Sequence, residues 1–223
     1  MIIGHYGLAL AAKRLAPRTS LGVLFLASQF LDLLAHVFVP LGIETMVFDR
    51  ASIHLVMPVA FTRAAFSHSL LAACLWAVLF GGVYFKVTRN GRGALVAAAL
   101  VVSHWFLDII VHGHGLPIYP GGPLVGFGLW RSMQLTVAVE LWVLFGGGAW
   151  IYARATRPLD RAGRNGFAAL LAFAAMLYAF ALYKPPEPSL QSAGFFGLWD
   201  GLIFAAFWLE RHRTGSSREA ARP

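Results

Sequence analysis

Six predominantly apolar windows, each about 16 to 20 residues long, limit what this chain can fold into. They lie at residues 21–40, 66–85, 94–112, 133–152, 167–183 and 194–209. A helix of about 20 residues crosses the roughly 30 Å hydrocarbon core of a bilayer and satisfies its own backbone hydrogen bonds. Because 58% of the 223 residues are hydrophobic and 13% are charged, there is too little polar surface to coat a soluble globule. We predict an all-α fold, a polytopic transmembrane helical bundle of six spans, with residues 1–210 as a single transmembrane domain.

The first twelve residues, MIIGHYGLALAA, form a further apolar stretch. As a helix they would be about 18 Å long, which is too short to cross a bilayer comfortably. We therefore expect a short N-terminal helix that either re-enters the membrane or lies at its interface. A cleaved signal peptide is not indicated, because the positive residues Lys13 and Arg14 follow the apolar run instead of preceding it.

The basic residues indicate how the chain is oriented. Of the 18 Lys and Arg residues, 14 fall in one set of alternate loops and 4 in the other. Because cytoplasmic loops carry the Lys/Arg excess, the first set, which includes the C-terminus, is predicted to face the cytoplasm of a bacterial inner membrane. This excess explains the net charge of +8 without a nucleic-acid partner, and membrane lipid is the expected partner. Residues 211–223 form a basic cytoplasmic tail that we expect to be disordered.

Ionisable residues are concentrated in the outer halves of the predicted spans. The third span contains SHWFLDIIVHGHG, residues 103–115, in which an apolar segment carries one aspartate and three histidines. Ionisable side chains are costly to hold in lipid, so at this depth they indicate a functional site. At 1.5 Å per residue, the histidines and carboxylates of the first three spans fall near the extracytoplasmic surface. They are Asp32, His36, His68, His104, Asp108 and His112, and Glu140 and Asp200 follow in the outer halves of later spans.

The spacing of these residues places them on common helix faces. Asp32 and His36 are four residues apart, as are His104 and Asp108, so each pair projects from one face of its helix. Histidine and carboxylate are ligand types that Zn²⁺ and similar ions bind, and a bound cation would offset the cost of burying the aspartates. The pattern therefore predicts a divalent metal site, with zinc as the expected ion.

Other interpretations of the polar cluster remain open at this point. Polar side chains also join membrane helices by hydrogen bonds, so the protein could be a non-catalytic scaffold or assembly subunit. A transporter is a weaker alternative, because the inner halves of the predicted spans lack the ionisable residues that a transport route would need. Individual residues also have structural alternatives: His36 could pair with Asp32, Glu140 with Arg131 or a helix neighbour, and His112 and His114 could be interfacial.

Four short motifs together resemble a known family. They are GHYG at residues 4–7, QFLDLLAH at 29–36, FSHSLL at 66–71 and SHWFLD at 103–108. Their combination and order resemble the YdjM-like membrane-bound metal-dependent hydrolases, which LexA regulates in some bacteria and which are distantly similar to zinc-dependent phospholipases C. The resemblance covers about the first half of the chain. Where family members commonly have Asp-x-Asp-His, this chain has FLDLLAH, so one carboxylate is missing.

The resemblance implies a reaction and the residues that perform it. One divalent ion, zinc by expectation, would be held by two histidines and a carboxylate, and a second carboxylate would act as general base on water. The implied substrate is a lipid-like or phosphoester compound at the extracytoplasmic face. The implied metal ligands are His5, Asp32, His68, His104 and Asp108, and the implied catalytic carboxylates are Asp32 and Asp108.

Two neighbouring features are predicted to support this site. Ser67 and Ser69 flank His68, and we expect them to orient the ligands through hydrogen bonds. Residues 113–130 are rich in glycine and proline, which predicts an ordered, non-helical loop just above the site. This loop is either a lid or substrate platform, or a plain connector.

Overall fold

The computed structural model describes residues 1–48, 59–63, 65–155, 158–183 and 190–212. Its helices are α1 Gly4–Ala12, α2 Leu21–Ser28, α3 Phe30–Phe38, α4 Leu70–Thr88, α5 Gly91–Val111, α6 Met133–Leu141, α7 Trp150–Ala155, α8 Arg161–Tyr183 and α9 Leu190–Glu210. A π-helical segment, Trp142–Ala149, joins α6 to α7, and a 3₁₀ turn spans Leu129–Arg131. Two short antiparallel hairpins pair β1 Thr45–Phe48 with β2 Val59–Arg63, and β3 Leu116–Pro117 with β4 Leu124–Val125. The prediction of an all-α fold is confirmed.

Four helices in the described parts of the chain are long and apolar enough to cross a membrane: Leu70–Thr88, Gly91–Val111, Met133–Arg154 and Arg161–Tyr183. A fifth span is present if α2 and α3, which are bent by 55°, count as one broken span. The protein is thus a multi-pass membrane protein, but the prediction of six spans is wrong by one or two. The sixth window lies in α9, whose side chains are described only from Gly197 onward, and that part alone is too short to cross.

The bend between α2 and α3 lies at Gln29. This residue has φ −102° and ψ 5°, outside the regular α-helical range, so it ends one helix and begins the next. The first backbone bond of α3 runs from the Leu33 N–H to the Gln29 carbonyl at 3.0 Å. The Ser28 carbonyl precedes this bond and accepts none of the backbone hydrogen bonds of α3. The predicted first span is therefore a broken helix, and the break leaves the Ser28 carbonyl without a backbone donor from α3.

Helix α1 lies inside the bundle, in contact with α2, α5 and the π-helical segment. Seven of its nine residues are buried, including His5 and Tyr6. Two glycines permit a close approach: a Cβ on Gly7 would lie 2.5 Å from the Val143 carbonyl oxygen, and one on Gly148 would lie 2.3 Å from the Gly7 oxygen. An interfacial helix would leave one face exposed, so of the two alternatives for residues 1–12 this burial favours a helix that enters the bundle.

Helices α4 and α5 form a tight hairpin that brings distant residues to one end of the bundle. They meet at Arg89, whose φ of 56° is left-handed, and at Asn90, whose side chain accepts a hydrogen bond from the Gly93 N–H at 3.0 Å. Because the chain reverses here, the start of α4 and the end of α5 lie at the same end. His68 stands two residues before α4, and Asp108 lies in the last turn of α5.

The segment between α5 and α6 is ordered and largely non-helical, as predicted. The Gly128 N–H donates to the His112 carbonyl at 2.6 Å, which ties the segment to the end of α5. At Gly126, φ is +157° and a Cβ would lie 1.8 Å from the Gly113 carbonyl oxygen, so no larger residue fits this crossing. The loop is thus held against the end of α5 that carries Asp108.

A buried ion pair joins α1 to α9 at the opposite end of the bundle. The Lys13 side chain is 2% exposed, and its Nζ lies 2.9 Å from Glu210 Oε1 and donates to the Thr19 carbonyl. Glu210 also accepts a hydrogen bond from the Leu21 N–H at 3.1 Å. Lys13 was predicted to be one of the basic residues of a cytoplasmic loop, and its burial here requires this partner. Of the predicted basic tail, residues 213–223 lie outside the described residues.

Candidate metal centre

Two imidazole nitrogens and two carboxylate oxygens meet near the end of α5. His68 Nε2 lies 3.2 Å from Asp32 Oδ1 and 3.8 Å from Asp108 Oδ2. His104 Nε2 lies 3.5 Å from the same Asp32 oxygen and 3.2 Å from the same Asp108 oxygen. These side chains come from α3, from the turn before α4 and from α5. We call Asp32, His68, His104 and Asp108 the four-ligand cluster.

The four nitrogen–oxygen distances within the four-ligand cluster are close to the edge lengths of a tetrahedral metal site. Zinc bonds of about 2.0–2.2 Å to nitrogen and oxygen give a tetrahedron with edges of roughly 3.3–3.6 Å. The four nitrogen–oxygen distances run from 3.2 to 3.8 Å, which brackets that range. The protein therefore has buried His and Asp groups that could hold a metal ion. Two overlapping triads have ligand atoms within 4.8 Å of one another: His68, His104 and Asp108, and His5, Asp32 and His104.

The tautomer of His104 suits a metal ligand. Its Nδ1 donates a hydrogen bond to the Ser28 carbonyl at 2.7 Å, since a carbonyl oxygen can only accept. In the neutral ring, Nε2 then carries a lone pair that faces Asp32 and Asp108. This nitrogen is buried and has no hydrogen-bond partner of acceptable geometry within the described ranges. A lone pair facing two carboxylates is stable only if a cation, either a metal ion or a proton, lies between them.

A neighbouring hydroxyl orients His68. Ser67 Oγ lies 2.7 Å from His68 Nδ1, so Ser67 contacts the ring as predicted. Ser69 has a different role: its hydroxyl donates to the Ala65 carbonyl at 2.6 Å and accepts from the Ala72 N–H at 3.2 Å. The prediction that Ser69 orients the ligands is wrong, because a serine directly before a helix caps the unpaired N–H groups of the first turn.

Helix α1 brings His5 beside the four-ligand cluster. Its Nε2 lies 3.1 Å from Asp108 Oδ1, the oxygen that does not face His68 and His104. Its ring stacks on His104 with centroids 3.9 Å apart and planes inclined by 2°. The amino nitrogen of Met1 also contacts Asp108 Oδ1. Asp108 is thus held from both sides, by α1 and by the cluster histidines.

Glu140 fixes the start of the helix that carries His5. It is fully buried on α6, and its two oxygens accept hydrogen bonds from the Ile2 and Gly4 N–H groups at 2.8 Å each. N–H groups at the start of a helix have no acceptor within that helix, so a buried carboxylate there is stabilising. The alternative that Glu140 pairs with Arg131 is not what the structure shows.

The four-ligand cluster is closed except at Asp32. The side chains of His68, His104 and Asp108 are 1%, 0% and 4% exposed, whereas that of Asp32 is 35% exposed. The cluster therefore reaches the protein surface at Asp32. The two aspartates, which look equivalent in the sequence, differ sharply in exposure.

Three predicted polar residues lie beside the cluster and not within it. His36 Nδ1 lies 3.4 Å from Asp200 Oδ2, so this histidine pairs with a carboxylate of α9. The His112 ring packs against Trp130 with centroids 4.3 Å apart. His114 is exposed on the loop that follows α5. The alternative that His36 pairs with Asp32 is therefore wrong, because its ion-pair partner is Asp200, and the interfacial positions of His112 and His114 stay a prediction.

Two groups at the site were missed by sequence reasoning: the Ser28 carbonyl and Glu44. A backbone carbonyl carries no sequence signal, and Glu44 stands outside any apolar window, in a segment without helical periodicity. One signal for Glu44 was available. The hydroxyl of Ser67, next to the candidate ligand His68, needs an acceptor for its own hydrogen, which pointed to an additional polar residue nearby.

Comparison with known proteins identifies no relative. No family model, no curated protein and no solved structure matches this chain. The chemistry of the site therefore has to be argued from its own residues.

Proposed function

We propose that this protein is a membrane-bound metal-dependent hydrolase that holds one zinc ion on His68, His104 and Asp108, with Asp32 beside the open fourth position. One observation carries the proposal. Two buried imidazoles, each with Nδ1 already in a hydrogen bond, direct Nε2 at two carboxylates over distances that suit one tetrahedral ion. Two imidazole nitrogens beside so few carboxylate oxygens favour zinc over magnesium and calcium, which prefer six or more oxygen ligands.

The two carboxylates have separate roles in this proposal. A bound zinc ion would act as a Lewis acid toward a phosphoryl or carbonyl oxygen and make water easier to deprotonate. Asp108 is the fixed ligand, because His5 holds its second oxygen at 3.1 Å and its side chain is 4% exposed. Asp32 is the general base, because its side chain is 35% exposed and stands where water enters.

The proposed substrate is a lipid-like or phosphoester compound at the extracytoplasmic face of a bacterial inner membrane. The orientation follows from the Lys/Arg excess, which assigns the opposite end of the bundle and the C-terminus to the cytoplasm. A site at the end of membrane-spanning helices lies at the depth of lipid head groups, so membrane lipid is the nearest source of substrate. The resemblance to YdjM-like membrane-bound hydrolases, and more distantly to zinc-dependent phospholipases C, supports the same substrate class.

Metal analysis of the detergent-purified protein is the first test. Zinc is counted per chain by mass spectrometry in the wild type, in the His68→Ala/His104→Ala variant and in a His212→Ala control. His212 is a suitable control because its Nδ1 contacts Asp160 Oδ2, 3.2 Å away, beyond the end of α9. We expect about one zinc per chain in the wild type and the control, and its loss in the double variant. Negligible zinc in all three proteins after incubation with zinc would overturn the metal site.

Hydrolysis is tested on the zinc-loaded protein with two probes. Phosphatidylglycerol vesicles report on a lipid substrate, and a nitrophenyl phosphodiester reports on phosphoester cleavage in solution. We expect release of product by the wild type and about 10²–10⁴-fold slower release by Asp32→Asn at equal zinc content. Zinc binding without turnover of either probe would overturn the hydrolase and leave a metal-binding membrane protein.

A further inference from the structure

Glu44 is buried beside the site, just before β1. It is 1% exposed, and its Oε1 accepts hydrogen bonds from the Phe66 N–H at 2.8 Å and the Ser67 N–H at 2.7 Å. Its Oε2 accepts a hydrogen bond from the Ser67 hydroxyl at 2.5 Å. Glu44 therefore binds the chain directly before His68, where β2 gives way to the turn that leads into α4.

The hydrogen bonds around Ser67 can run in one direction only. A serine hydroxyl has one hydrogen, and a carboxylate can only accept. Because Ser67 donates to Glu44, its oxygen acts as the acceptor toward His68 Nδ1, 2.7 Å away. His68 must then carry its proton on Nδ1. Its Nε2 presents a lone pair to Asp32, 3.2 Å away, and to the rest of the four-ligand cluster.

We propose that Glu44 is a positioning residue for the metal centre, and that it acts through Ser67 to hold His68 in the tautomer that binds a metal. The inference rests on the proposed metal site, but it is independent of the reaction catalysed there. The Ser28 carbonyl does the same for His104, at 2.7 Å from its Nδ1. Each buried imidazole of the cluster thus has its own acceptor, and partners of this kind set the tautomer and basicity of metal-binding histidines.

The variant Glu44→Gln reverses the direction of these hydrogen bonds. The N–H groups of Phe66 and Ser67 need an acceptor, so the amide oxygen of the glutamine takes the position of Oε1. The amide NH₂ then takes the position of Oε2, next to the Ser67 hydroxyl. The hydroxyl then accepts from the amide and donates to His68 Nδ1. The ring proton moves to Nε2, where it competes with the metal. Glu44→Gln therefore imposes the wrong tautomer, whereas Ser67→Ala only leaves both tautomers available.

The test is a double-mutant cycle on zinc affinity, measured by competition with a chromophoric chelator. We expect Ser67→Ala to weaken binding about tenfold and Glu44→Gln about 100-fold, the range seen when partners of metal ligands are removed. The double variant Glu44→Gln/Ser67→Ala is expected to return to the level of Ser67→Ala, because the amide can no longer act on His68. Asp160→Asn is the matched control, since Asp160 also accepts a backbone N–H, at 2.7 Å from Gly163, and lies beside His212 at the opposite end of the bundle.

The possible outcomes separate this inference from the proposed function. If Glu44 only braces the backbone, the double variant binds zinc no better than Glu44→Gln, and the inference is overturned. Wild-type affinity in Glu44→Gln would overturn it as well. If the wild type itself binds no zinc, the proposed metal site fails, and the tautomer is read from ¹⁵N NMR of histidine-labelled protein. Protonated Nδ1 in the wild type and protonated Nε2 in Glu44→Gln would support the inference, and the same tautomer in both would refute it. All variants are compared at equal folded yield by size-exclusion chromatography.

Discussion

His104 Nδ1 donates to the Ser28 carbonyl at 2.7 Å, directly beside the break between α2 and α3. Because of the break at Gln29, this carbonyl accepts no backbone hydrogen bond from α3. Its hydrogen bond from Nδ1 directs His104 Nε2 into the four-ligand cluster. His104 belongs to both triads of possible ligands, whereas His68 and His5 belong to one each. The interrupted span therefore orients the ligand that the two triads share.

The loss of zinc affinity in single histidine variants should depend on which of these triads the histidine belongs to. We expect His104→Ala to lower zinc affinity more than 100-fold, since it removes a direct ligand from both triads. His5→Ala should lower it only about tenfold, because His5 holds the outer oxygen of Asp108 at 3.1 Å and supports a ligand from outside the cluster. Competition with a zinc chelator measures both. An equal loss in the two variants would place the ion in the triad of His5, Asp32 and His104 instead.

The two aspartates should separate metal binding from catalysis. Asp108→Asn is expected to lose zinc and hydrolysis together, because it removes the buried ligand that is 4% exposed. Asp32→Asn should keep most of the zinc but lower hydrolysis by about 10²–10⁴-fold, the usual contribution of a general base. Zinc content and product release are measured on the same preparations. If neither variant changes zinc content or product release and both proteins fold, the cluster only joins the helices of a scaffold by hydrogen bonds.

Removal of the metal should lower stability. A ligand that binds only the folded state stabilises it by about 2.7 kcal/mol at 100 times its Kd. We expect a lower Tm in detergent after treatment with EDTA, and recovery when zinc is added back. The His68→Ala/His104→Ala variant should show no such recovery. A zinc-dependent rise in Tm in that variant would mean that the ion binds elsewhere.

The crossing of α1 with the π-helical segment should tolerate no added methyl group. Gly7→Ala would place its Cβ 2.5 Å from the Val143 carbonyl oxygen, and overpacking of this kind costs about 1–3 kcal/mol. Gly82→Ala is the matched control: it lies inside α4 with nothing within 4 Å of its Cβ, so we expect a gain of about 0.5–1 kcal/mol from helix propensity. Thermal unfolding in detergent distinguishes them, and an unchanged Tm for Gly7→Ala would contradict the close approach.

Much of the site could be predicted because its signals are local. The four-residue step from His104 to Asp108 places both on one face of α5. The short connection between α4 and α5 brings the end of α5 back to His68, which lies just before the start of α4. The structure brings these residues together, and their role as ligands stays a prediction. The break in the first predicted span was missed because Gln29 is neither glycine nor proline, the residues that usually signal a helix end.

The sequence by itself determined that this chain is a bundle of membrane helices with histidines and carboxylates at one end. Both properties follow from hydrophobicity and helical spacing, which act over a few turns. Only the tertiary structure decided that Asp108 is buried and Asp32 is open, and that Glu44 and the Ser28 carbonyl support the two imidazoles. These outcomes depend on contacts between segments about 20 or more residues apart, where no periodic pattern links the partners and packing alone sets the distance.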